Sequence, residues 1–375
     1  MKIIINASNL TKGGGIQVAL SFINECAKNF NNNFYYVLIG NSIANQIDIN
    51  SFPSNFIFYN ISIVSRPSIK RIKVLKQLKK IENDIKPNCV ISVFGPSYWT
   101  PKATHIMGFA IAHFLYPESI FFKNITFKEN LKWKFLKLIK RYYFKKDSNY
   151  YLVETDDVRN RLSGFLNKPK ENIFTVSNTH NAVFKNFVPS SSRLLTNKEK
   201  KEFRLLTLST YYSHKNFEII NKVVPVLNSI KIDYVRFVLT LEEETYSGIF
   251  SNEAKKFIIN IGPVKIEDCP QLYFECDAVF LPSLLECFSA NYPEAMIMQK
   301  PILTSDLPFA HDICESSAVY FNPADENSIV NSIISIIEDN ELRNTLIING
   351  LEQLKKFKTP EERTKEYLSL CKKVT

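Results

Sequence analysis

Glu286 and Glu294 stand eight positions apart in the stretch VFLPSLLECFSANYPEAM, residues 279–296. Val279, Phe280 and Leu281 read as a short buried strand that Pro282 ends. The residues after it therefore leave the carboxyl edge of a strand, where open α/β sheets bind ligands. Pro293 suits the first turn of a helix, which puts Glu294 near that helix's amino end and offers the backbone N–H groups of Phe288, Ser289 and Ala290 to an anion. Glu286 becomes a carboxylate held over the crevice, able to accept hydrogen bonds from hydroxyls. Phosphate beside sugar hydroxyls outlines a nucleotide sugar. The plainer alternative makes Glu286 a turn cap and Glu294 an ordinary first-turn acid.

Other residues suit the same ligand. LLTLSTYYSHKNFEII, residues 205–220, sets Lys215 just after a strand and at the start of a helix. An ammonium there is electrostatically awkward unless an anion lies between it and the helix end, although a surface lysine is the simpler reading. Gly13, Gly14 and Gly15 lie between the first strand and a helix, free to take positive φ and approach a phosphate or sugar, or to form only a turn. The loop lacks both the P-loop Lys-Ser/Thr and the dinucleotide spacing. His105 and His113 precede Tyr116-Pro117; a lone histidine is usually structural. No D-x-D occurs, so the chain lacks that metal-binding carboxylate device.

ECFSANYPEA, 286–295, resembles the signature of retaining glycosyltransferase family 4, in group 1. The likeness continues through IGPVKIEDCPQLYFECDAVFLPS (261–283) and KPILTSDLPFAHDICESSAVYFNPAD (300–325), then back to the first strand and its glycine loop, with a less specific middle third. It implies a GT-B fold, an α/β architecture of two Rossmann-like parallel-sheet domains facing across a cleft, with a C-terminal crossover helix. It also implies site roles. Glu294 would accept from ribose hydroxyls and Glu286 would bind the sugar. The amides near Phe288 and Ser289 would hold phosphate, and Gly262, Pro263 and Val264 would flank the base. Lys215 would grip the diphosphate, Gly13–Gly15 would close over donor phosphate and acceptor, and His113 would touch the transferred sugar, with His105 in reserve. Many relatives carry an arginine five positions before this lysine; here it is Thr210. The expected reaction is metal-independent transfer of a hexose-type unit from a nucleoside diphosphate sugar to a hydroxyl, with retention. A sugar-nucleotide epimerase of the same fold and a noncatalytic nucleotide- or carbohydrate-binding partner subunit are the alternatives.

Apolar runs alternating with helical patterns place strands near 3–6, 35–39, 90–94 and 151–153, then 204–209, 235–239, 257–261, 278–281 and 302–304. The expected domains are 1–187, binding acceptor, and 203–358, binding the nucleotide sugar. Polar, serine-rich 188–202 is the expected linker, and 359–375 a terminal helix that packs back on the first domain.

At 375 residues, 45% hydrophobic and with ten glycines, the chain is globular. Seven scattered cysteines without a C-x-x-C pair read as reduced thiols. No apolar run is long enough for a spanning helix or a signal peptide, so the expected location is cytoplasmic or peripheral on the inner membrane's cytoplasmic face. Charge is uneven. Through residue 185 there are 26 Lys and Arg against 11 Asp and Glu; the remainder has 21 against 26. Residues 66–80 carry seven basic residues and no acid, with Ile69, Ile72, Leu75 and Leu78 at helical spacing. Residues 121–146 carry nine against Glu129 alone, with Leu131, Phe135, Leu138 and Tyr142 on one face. Such segments fit an anionic membrane surface, or solvated helices whose apolar stripe packs inward; the second reading suits 66–80 better. Nucleic acid is not an expected partner, for no recognition motif accompanies the charge. A lipid-linked glycan of a bacterial surface polysaccharide is the expected acceptor.

Overall fold

The computed structural model describes every residue except 62, 64–67 and 124. The chain divides into two compact units, one of 1–118, 122–178 and 358–375, the other of 119–121 and 179–357.

The first unit holds strands β1 (Lys2–Ala7), β2 (Phe34–Ile39), β3 (Phe56–Asn60), β4 (Cys89–Ser92), β5 (Thr104–Gly108), β6 (Tyr150–Val153) and β7 (Ile173–Thr175), in the order β3-β2-β1-β4-β5-β6-β7. The second holds β8 (Phe203–Thr207), β9 (Val235–Leu239), β10 (Ile258–Asn260), β11 (Ala278–Leu281), β12 (Ile302–Ser305) and β13 (Ala318–Phe321), in the order β10-β9-β8-β11-β12-β13. All strand pairs are parallel. Helices cover both faces, which is why strand sequences such as Ile3-Ile4-Ile5 are apolar without alternation. Ile3 and Ile5 join one core with the helix Gly14–Asn29, while Ile4 turns to Leu78 and Trp99 on the other face. Leu205 and Leu206 divide between the faces of the second sheet in the same way.

Four strands, β3, β5, β7 and β13, lie beyond those expected. Each is only three to five residues long, too short for a run of that length to separate a strand from a loop by sequence alone. Residues 188–202 lie in the second unit and are fastened to it. Gln271 accepts from the Ser190 amide (3.0 Å), Glu275 from the amides of Leu194 and Leu195 (3.0 and 2.8 Å), and Lys198 pairs with Asp277. The terminal helix Pro360–Val374 belongs to the first unit. Its Tyr367 meets Phe22 edge-on at 5.2 Å, and buried Arg363 donates to Ser21 and Asn178.

In each sheet the strand order reverses beside the first strand of the series, between β1 and β4 and between β8 and β11. A reversal leaves successive crossover connections on opposite faces and opens a crevice at the carboxyl ends of the two strands. Lys215 follows β8 and Glu286 follows β11.

Candidate active site

The Thr207 hydroxyl donates to the Phe280 carbonyl (2.6 Å), tying the ends of β8 and β11 together. Beyond β8, Ser213–Lys215 form a 3-10 turn and Asn216 takes φ 57°, held by its amide donating to the Pro323 carbonyl (3.0 Å). The regular helix begins only at Ile220. Lys215 is thus on a turn and not at a helix start, because the left-handed Asn216 interrupts helical backbone. Beyond β11, the Leu284 amide donates to the His214 carbonyl (2.7 Å), and the Ser119 hydroxyl donates to the Leu284 carbonyl (2.8 Å). Phe121 stands edge-on to His214, whose pKa burial lowers. These contacts bring Lys215 Nζ to 2.5 Å from Glu286 Oε1, both side chains largely buried. The anion facing Lys215 is the chain's own carboxylate.

Glu294 lies in the first turn of the helix Asn291–Ile297 and is buried. Desolvation pushes its pKa up to about 8, against the lowering effect of a hydrogen bond from the Tyr273 hydroxyl (2.9 Å). Asn291 extends the network. Its amide donates to the Tyr273 oxygen (3.1 Å) and the Leu208 carbonyl (3.0 Å), and its carbonyl oxygen accepts from Ser289 (3.0 Å). Phe288 is buried against Phe357. The loop after β10 turns at Gly262, φ 76°, before exposed Pro263 and half-buried Val264, which packs on the core.

Residues 193–353 match the family model described as "Glycosyl transferases group 1". This segment is a group 1 glycosyltransferase domain. The chain is 25% identical over 231 residues to the O-antigen chain mannosyltransferase RfbU of Salmonella typhimurium, a match covering 60% of this chain and 58%, under two thirds, of that relative. Its fold is that of the GT-B glycosyltransferases. A glycosyltransferase from Rickettsia africae superposes with a TM-score of 0.73 at 14% identity, covering 100% of this chain and 98% of the other. WaaG, a glycosyltransferase of lipopolysaccharide biosynthesis, gives 0.73 at 12% over 100% of both chains. Anabaena HepE, solved with UDP and glucose, gives 0.73 at 14% over 98% of this chain and 99% of that one.

Within the group 1 domain, Lys215 and Glu286 meet directly, and Glu294 sits in its own network with Ser289 nearby through Asn291. Thr210 is exposed, and its carbonyl accepts from Ser209. Sequence reasoning missed Tyr273, Asn291, His214, Leu284 and Ser119. Asn291 lies inside the signature itself, and His214 and Leu284 adjoin Lys215 and Glu286 along the chain; Tyr273 and Ser119 are joined to the site by folding alone.

In the first unit, Gly13 caps the helix Gly14–Asn29 with φ 77°, whereas Gly14 and Gly15 are helical and use no positive φ. His113 stacks on Trp133, centroids 4.0 Å apart and planes 10° from parallel. His105 has no room for a ligand role. It is buried in β5, accepting at Nε2 from the Ser92 hydroxyl (2.8 Å) and donating from Nδ1 to the Asp147 carbonyl (2.6 Å), and burial lowers its pKa to about 4. It is a neutral core histidine. Residues 66 and 67 of the first basic segment and residue 124 of the second lie outside the described residues. In the helix Ile69–Ile85, Leu78, Ile81 and Ile85 pack inward while Ile69 and Ile72 are exposed, so the inward-packing expectation holds only for its later turns. Among the described residues, no helix is long and apolar enough to cross a membrane.

Proposed function

We propose that the chain is a retaining glycosyltransferase that moves a hexose-type sugar from a nucleoside diphosphate sugar to a hydroxyl of a lipid-linked glycan, in the building of a bacterial surface polysaccharide at the cytoplasmic face of the membrane. The observation that carries this reading is the convergence of Lys215 and Glu286 at the β8–β11 reversal inside a group 1 domain. The diphosphate takes Lys215 and the Phe288 and Ser289 amides; the sugar hydroxyls take Glu286; the ribose hydroxyls take Glu294, and the turn of Gly262, Pro263 and Val264 flanks the base. Charge developing on the leaving diphosphate is met by fixed donors of the protein, so turnover needs no metal. Gly13 and His113 serve the acceptor and the transferred sugar. RfbU's description as an O-antigen chain mannosyltransferase supports the acceptor class, and HepE's complex with UDP and glucose supports the donor class.

The test is calorimetric binding of UDP, GDP, dTDP, ADP and CMP to the full chain and to Glu294→Ala, followed by NMR of the anomeric product made with and without chelator. One nucleotide should bind selectively, at least about tenfold more weakly in the variant, equivalent to losing one good hydrogen-bonding pair. Flat binding across the panel, or an inverted product, sinks the reading; loss of turnover in chelator that magnesium restores sinks metal independence.

A further inference from the structure

The helix Phe127–Asp147 is built inside out. Leu131, Phe135, Leu138 and Tyr142 recur at spacings of four, three and four, on one side of the helix, and with Phe127 they are 58% to 84% exposed. Trp133, Lys137, Lys140 and Phe144 repeat the same spacing two residues on, about 200° around the axis. That second seam faces the unit's own aromatic residues. Trp133 stacks on His113, Lys137 lies over the Phe165 ring (5.3 Å), Lys140 over Phe114 (5.9 Å), and Phe144 is buried against Phe109 (4.8 Å). Burial lowers the pKa of both lysines, the cost of keeping cations on the inner side. A helix surrounded by water places its apolar stripe inward and its lysines outward; this one turns Lys137 and Lys140 inward and leaves five large apolar side chains, Phe127, Leu131, Phe135, Leu138 and Tyr142, uncovered.

What the outer face fits is set by its charge. Lys128, Lys132, Lys134, Lys145 and Lys146 are exposed along the same helix. Its first-turn acid, Glu129, is engaged in a capping box with Thr126, and Asp147 is buried. Tyr143 accepts from Arg71 (2.7 Å), which joins the helix to the basic, outwardly charged Ile69–Ile85. A second copy of the chain would set these lysines against their own kind, whereas anionic headgroups around an apolar interior match both the charge and the stripe. We propose that Phe127, Leu131, Phe135, Leu138 and Tyr142 insert into the interface of an anionic bilayer, with the flanking lysines on its headgroups. The inner seam then ties this lipid seat to His113 through Trp133. The seat narrows the membrane location proposed above to one helix face and does not depend on the transfer reaction.

Flotation of the full chain with phosphatidylcholine vesicles, with and without phosphatidylglycerol, tests this, comparing wild type with a Leu131→Ser, Phe135→Ser, Leu138→Ser variant. Wild type should float only with the anionic lipid, and the variant's bound fraction should fall by at least about tenfold. Nucleotide binding by the same variant should be unchanged, which separates failure of the seat from failure of the transfer reading. Hydrogen exchange on wild-type protein covers the case of a misfolded variant, since 127–142 should gain protection on vesicles. Absence of wild-type flotation, equal flotation of the variant, no gain of protection, or a wild-type dimer that the substitutions dissociate would each overturn the proposal.

Discussion

Lys215 and Glu286 neutralise each other in a largely buried setting, so a diphosphate reaching Lys215 meets a cation already partnered and a carboxylate of its own sign. Removing that carboxylate frees the cation. Glu286→Gln should therefore bind the nucleoside diphosphate more tightly, by about tenfold, while losing transfer, and Lys215→Ala should lose both; calorimetry with a turnover assay reads the two apart. Weaker nucleotide binding in Glu286→Gln would mean that the carboxylate positions Lys215 instead of competing for it. Glu294 makes a pH prediction. Its pKa in the fold, about 8, lies above the ordinary 4.5, so between these values the folded group keeps a proton that the unfolded chain releases. Stability of the second unit should fall as pH rises through that window, and Glu294→Gln should flatten the slope in denaturant titrations. Ribose hydroxyls donate best to the ionised form, so nucleotide affinity should rise towards pH 8 in wild type and not in the glutamine variant. An identical pH slope in both proteins would remove Glu294 from the ribose.

Among the elements, the turn after β10 has a simple chemistry. Gly262 has φ 76°, and a Cβ placed there would meet nothing within 4 Å, so alanine pays only the left-handed backbone cost. Gly262→Ala should destabilise by about 1–2 kcal/mol and weaken nucleotide binding if the turn flanks the base, while Gly14→Ala, also open but at helical φ, should be neutral or slightly stabilising; paired melting and binding curves check both. Helix and strand types were largely legible because period is a local property. Register against neighbours was not: Leu131, Phe135, Leu138 and Tyr142 formed a face in the sequence, but the direction of that face depended on Trp133 finding His113 and on Phe144 finding Phe109.

For the molecule as a whole, the chain's last helix completes its first unit. Arg363 is 1% exposed and donates to Asn178 and Ser21, with Glu25 and Glu154 near enough to act on its charge. Arg363→Ala would leave buried acids without their cation, at a cost of about 3–5 kcal/mol to the first unit. Because two units need not unfold together, the measurement is urea unfolding followed by a probe in each, and the first-unit transition alone should shift. An equal shift in both would mean that the units melt as one. The sequence alone determined the α/β class, two sheets, the family signature and the charge imbalance, since each rests on composition or on residues close along the chain. Tertiary structure alone decided that Lys215 faces Glu286, 71 positions away; that His105 is a core histidine; that 188–202 lie against the second unit; and that the basic helix wears its apolar face outward. Each of these depends on which distant groups pack or pair together, and burial, hydrogen bonding and charge neutralisation between distant residues are set only when the sheets assemble.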